Sequence, residues 1–200
     1  MLLSSFTATP EGYKTEIDEE VAILLQRLLG ETITVLDAPD QESFVGALLD
    51  EDRRDEPEDP TLRVLLPPMS FDPEEAQTLR ALTEDTLRSQ KAERLLEIGH
   101  AISQIALDEN REIIIPFDKV WAWLSGFNDL RLVLAQRLQV GSAADNEYWF
   151  DRAIKILHAP RHTPLEITHE ELIGLVFVMV SWWQDSLLEA VHMGGPPTTL

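Results

Sequence analysis

Asn128-Asp129-Leu130-Arg131 puts a carboxamide, a carboxylate and a guanidinium in the middle of an otherwise apolar stretch. Buried polar groups need partners, so such a cluster marks a place where other elements deliver hydrogen bonds or charge. Asp129 and Arg131 are two positions apart and do not face each other on a helix, so each needs a partner from elsewhere. Arg63, Gln184 and Asp185 are the candidates. The cluster is either a recognition or catalytic centre or a set of ion pairs locking helices together, and the second reading asks less of it.

Three further constellations carry chemistry. His158 and His162 have H-x-x-x-H spacing, with His169 nearby, and on a helix that spacing would aim both imidazoles at one metal. Pro160 interrupts the helix between them, so surface histidines and no metal are expected. Arg88, Lys91 and Arg94 make a basic stripe on one helix, which Glu84 and Glu97 can neutralise within the same helix. Trp182 and Trp183 point about 100° apart, so one core contact need not cover both, and they are a candidate interface. No G-x-S-x-G, P-loop, G-x-G-x-x-G or H-E-x-x-H motif occurs, and no paired nucleophile and base can be named. Neither a catalytic residue nor a cofactor is expected.

These residues must be held by a framework, and the spacing of apolar residues outlines it. Pro116–Val140 is the organising stretch: Val120, Leu124, Phe127, Leu134 and Leu138 recur at helical steps, widened by Trp123 and Leu130. Phe6–Thr9 and Tyr13–Ile17 flank a Pro/Gly turn and read as a hairpin. Asp18 caps a first helix reaching about Leu36, with Val21, Leu24, Leu25 and Leu28 on its inner face. Thr61–Leu66 is a short helical piece before Pro67-Pro68. Asp72-Pro73-Glu74-Glu75 starts another helix, and Thr83 is expected to re-cap it, opening a second that runs to about Leu107. Glu112–Ile115 is a strand, and Leu165–Ile167 is expected to add a third segment to the same small sheet. Ser142–His158 is an amphipathic helix carrying Tyr148, Trp149, Ile154 and Leu157. Thr168 opens the last helix with a capping box to Glu171. The fold class is mainly α: a bundle of about six helices with a small accessory β-sheet at the N-terminal side. Residues 1–200 form one domain, 37–60 an acidic mobile loop with ten Asp or Glu, and 193–200 a frayed tail.

Composition narrows the function classes. A net charge of -20 repels phosphate backbones and anionic lipid, so neither nucleic acid nor membrane is the expected partner. Met1–Ser5 lacks a basic, then apolar, leader pattern, and Leu172–Val180 is far shorter than the ~18 apolar residues that span a bilayer. The chain has no cysteine, which excludes disulfides and thiolate chemistry and fits a cytoplasmic setting.

Asp59–Pro67, Leu79–Glu84, Trp123 with Asn128–Leu132, and Gln184–Leu187 together resemble the actinobacterial family catalogued as domain of unknown function two-thousand-and-seventeen. Residues 142–170 depart from the family pattern and look longer. The resemblance implies no activity. It implies a gene setting beside the Clp protease adaptor ClpS, hence a Clp-related protein partner, and some members are labelled transcriptional regulators. The expectation is a non-enzymatic protein-binding or adaptor-like module. The alternatives are a transcriptional regulator, or a small-ligand-binding protein or enzyme centred on Asn128–Arg131. An apolar surface running round most of Leu172–Leu188 raises a homodimer through the last helix, unless other helices of the same chain cover it.

Overall fold

The computed structural model describes residues 3–37, 54–105, 111–158 and 167–194. Six helices and three short strands lie within them. Strands β1 (Thr7–Thr9) and β2 (Gly12–Glu16) form the hairpin, and β3 (Glu112–Ile115) pairs with the other edge of β2. Both pairings are antiparallel, with Tyr13 opposite Ile115 and Thr15 opposite Ile113. Gly12 has φ +148, and a Cβ there would collide with the Ile115 carbonyl, so only glycine lets β3 approach. Ile167 lies in no strand, because it leads directly into the capping residue of the last helix; residues 165 and 166 lie outside the described residues.

Helix α1 (Glu19–Leu36) starts where Asp18 Oδ1 accepts from Val21 N–H at 2.9 Å. Helix α2 (Pro60–Leu65) starts on Asp59, with proline at its first position. Helix α3 runs unbroken over Pro73–Ile105. The expected re-cap at Thr83 does not occur, because its hydroxyl bonds back to the Leu79 carbonyl at 2.7 Å and leaves the helix intact. The segment 37–60 lies outside the described residues from 38 to 53. Its C-terminal end is tied to α3 by Arg54–Asp85 (2.6 Å) and Gln77–Asp55 (2.8 Å).

Helix α4 (Val120–Arg137) follows a single 3₁₀ turn and packs against α2, α3 and the last helix. The apolar stripe the spacing predicts is buried at every position, Val120, Trp123, Leu124, Phe127, Leu130, Leu134 and Leu138, and Val133 joins it. Helix α5 (Ala143–Leu157) opens on a Ser142–Asp145 capping box. Its buried residues are Trp149 and Ala153, whereas Tyr148, Ile154 and Leu157 face outward. Helix α6 (His169–Met193) opens on the Thr168–Glu171 box. Gly174 is where α5 crosses it, since a Cβ there would overlap the Trp149 ring. Both Val176 and Phe177 are buried, so the wide apolar surface of α6 is covered largely within its own chain by α4, α5 and the sheet.

The core centres on stacked rings. Trp183 lies 4.9 Å from Phe127 and 5.2 Å from Phe6, centroid to centroid, and Trp123 meets Phe127 edge-on at 5.7 Å. The Trp183 indole N–H donates to Thr15 Oγ1 at 3.1 Å, and the Thr15 hydroxyl donates to the Ser4 carbonyl at 2.7 Å. This satisfies the buried polar groups and fixes the sheet on α6.

Candidate functional site

Helix α4 carries Asn128, Asp129 and Arg131 on its polar edges. At 100° per residue, Asp129 and Arg131 point roughly 200° apart, so they meet different neighbours. Asp129 is 2% exposed and turns to α3, where Lys91 Nζ donates to its Oδ1 at 2.5 Å. Lys91 lies on another helix and was not among the partners the sequence offered. Arg131 turns the other way and donates to Asn128 Oδ1 at 3.0 Å. Gln184 Nε2 donates to the Leu124 carbonyl at 3.3 Å. Among the described residues, Asp129 Oδ2 and Gln184 Oε1 are buried side-chain oxygens with no donor.

Asp185 is exposed and faces Arg131 across a hollow of about 290 Å³ whose walls include Asn146, Phe150 and Phe177. The two charges form no direct ion pair. Arg63 lies apart from the cluster and donates to the Pro57 carbonyl at 2.8 Å, with Glu56 at 3.9 Å. The expected cluster therefore splits. Asn128 and Asp129 line a hollow shared with α3, Arg131 and Asp185 line one shared with α5 and α6, and Gln184 braces the α4 backbone.

A third hollow, of about 400 Å³, lies between α1, α5 and α6. Val21, Phe150, Ile154, Leu157, Met179 and Trp182 line it, so Trp182 belongs to a surface groove. Trp183 is wholly buried and belongs to the core instead. His158 Nδ1 is engaged with the Ile154 carbonyl at 2.9 Å, and His162 lies outside the described residues.

A second set of buried charges, on α3, is legible only in part from the sequence. Glu84 accepts from Arg88 at 2.8 and 2.9 Å, as the spacing predicts, and also from Arg80 at 2.9 Å. Arg80 and Arg88 in turn donate to the Leu66 and Leu36 carbonyls, at 3.1 and 2.5 Å, closing the ends of α2 and α1. Burial alone would raise the Glu84 pKa, but hydrogen bonds from Arg80 and Arg88 and the charges of Arg54 and Arg88 outweigh it and hold it below the usual range. The cavity beside Glu84 measures about 10 Å³, room for one water at most, so this network is a brace and not a substrate site. Glu97, expected to pair with Arg94, is bonded by Lys119 at 3.2 Å.

By length and composition α6 could cross a bilayer, yet 56% of its most apolar window is buried inside the protein, and core packing accounts for that surface. No curated protein and no solved structure matches the chain. One family model does, over residues 3–191, which takes in the sheet, all three hollows and every helix except the last two residues of α6. The chain therefore belongs to the family described as Domain of unknown function (DUF2017).

Proposed function

We propose that the protein is a non-enzymatic, adaptor-like binding module that takes an amphipathic helix of another protein into the groove between α1, α5 and α6. The groove itself carries this reading. Ile154, Leu157 and Trp182 are 51%, 54% and 41% exposed, and they gather around one hollow instead of scattering singly over the surface. About 400 Å³ suits a few anchor side chains at helical spacing, the way a partner helix enters an apolar groove. Charge selects the occupant. A second copy brings its own -20, whereas a helix with Lys or Arg on its polar face is drawn in by the same field. A Clp-related partner belongs to this reading through the family resemblance alone, and a cytoplasmic setting through the lack of cysteine.

The test uses a peptide of roughly 18 residues, about five helical turns, with Leu on one face and Lys on the other. Its scrambled sequence is the control, and indole emission is the readout. Micromolar binding by the amphipathic peptide, lost in Ile154→Glu, supports the reading. Equal binding of both peptides, or binding unchanged by Ile154→Glu, refutes it. Sedimentation that returns a dimer of the 22.7 kDa chain, abolished by the same substitution, assigns the groove to a second copy instead.

A further inference from the structure

We propose that the hollow between α3 and α4 binds a small ligand that carries an oxyanion on a flat aromatic body. The hollow measures about 370 Å³, within the range of small-molecule sites, and is open to solvent. Lys91 and Arg94 reach it from α3, and Trp121, Ser125, Asn128 and Asp129 from α4.

The inventory of donors and acceptors is one-sided. Arg94 is half-buried, and among the described residues no carboxylate pairs with it, because Glu97 is taken by Lys119. The Ser125 hydroxyl makes no hydrogen bond to the described residues. The Asn128 Oδ1 accepts from Arg131, and its amide N–H groups have no acceptor among the described residues. Lys91 spends one of its three protons on Asp129, and that bond also occupies Asp129 Oδ1. Several donors thus converge on the hollow, while Asp129 Oδ1 is engaged by Lys91 and Asp129 Oδ2, though without a donor, is buried. Carboxylate or phosphate oxygens are the complement of that array, and a guanidinium can bind either through two parallel hydrogen bonds.

Trp121 supplies the second requirement. It is 64% exposed at the rim of the hollow, one helical turn before Ser125, and offers a planar face for stacking. The -20 field opposes an approaching anion, so selection here comes from close hydrogen bonds and stacking and not from long-range steering. This site is separate from the apolar groove, and neither test touches the other.

The experiment titrates the full chain with four probes and follows backbone amide shifts by NMR. Adenosine monophosphate and salicylate each join an oxyanion to a flat ring, one as phosphate and one as carboxylate. Adenosine is the ring without the anion, and inorganic phosphate the anion without the ring. The expected result is that one or both joined probes bind at least about tenfold more tightly than both half-probes. Shifts should centre on residues 91–94 and 121–129. Arg94→Gln should remove that advantage, while Lys155→Gln, a substitution on α5, should leave it intact. Which joined probe binds distinguishes phosphate from carboxylate. Failure of both at millimolar concentration overturns the proposal, as does a half-probe that binds equally well or an Arg94→Gln protein that binds like the parent.

Discussion

Glu84→Gln tests the buried ionic brace on α3 against a matched control. Glu84 is 2% exposed and accepts from two arginines of its own helix, with Arg54 of the preceding segment at 3.5 Å. Glu31 has a similar set, Arg27 on its own helix at 3.1 Å and Arg137 across the α1–α4 contact at 2.9 Å, but its side chain is 40% exposed. The two sites differ chiefly in whether water can replace what is lost. Removing the charge at Glu84 leaves Arg80 and Arg88 buried without a counter-ion, which costs about 3 kcal/mol. The same change at Glu31 costs less than about 1 kcal/mol, because water solvates the released arginines. For a chain of this size, about 3 kcal/mol is a drop in Tm of roughly 6–12 °C, and less than about 1 kcal/mol is a drop of at most roughly 4 °C. The pH dependence supplies a second readout. The Glu84 pKa is lowered on folding, so its stabilisation is present above the unfolded carboxylate value and is lost as pH falls through the folded one. The gap between parent and Glu84→Gln should therefore be full at pH 7 and shrink below about pH 4. Equal losses at the two glutamates, or a gap that does not change with acid, would refute the argument.

Two further substitutions probe the elements that hold the hollows. Gly174→Ala drives a methyl into the Trp149 ring at the α5–α6 crossing, and thermal melts should show a loss of about 1–3 kcal/mol; no loss would mean that α5 is free to shift. The Lys91–Asp129 pair should respond asymmetrically in urea unfolding at pH 7. Lys91→Met strands a carboxylate that is 2% exposed and should cost about 3 kcal/mol, whereas after Asp129→Asn the Lys91 stem can carry its ammonium outward, at about 1 kcal/mol. Equal losses would show that the carboxylate is not the constrained partner.

What could be read from the sequence follows the range of the signal. Helix caps are local, and the capping box at Thr168 and the Asp72 side-chain cap at the start of α3 appear where the residue types place them. The apolar stripe of α4 is equally local, and every position assigned to it is buried or nearly so. Helix α3 defeats the same method for a physical reason. Its buried positions advance in steps of three and four from Arg80 through Glu84 and Arg88 to Ala92, Leu95 and Ile98. The period is unbroken, but the first half of the stripe is charged, so Leu82 and Leu87 at staple positions around Thr83 read as a new helix start where the helix has no break. Helix α5 fails in the opposite sense. Tyr148, Ile154 and Leu157 look like core residues and are exposed, because amphipathicity tells which face is apolar and not whether this chain covers it.

The polar cluster on α4 shows the same limit at the level of single side chains. Spacing fixes angles along one helix, so the separation of Asp129 from Arg131 is legible from their being two residues apart. It cannot name the neighbour each angle meets. Arg63, Gln184 and Asp185 were reasonable partners by charge and polarity, yet Asp129 meets Lys91, which the helical register of α3 had grouped with Arg88 and Arg94. That stripe divides once the helices pack: Arg88 turns to Glu84 and the end of α1, Lys91 to Asp129, and Arg94 to a hollow where, among the described residues, no carboxylate pairs with it. Three basic residues that look equivalent in sequence thus acquire three roles, and of the three only Arg94 is left without a carboxylate partner among the described residues.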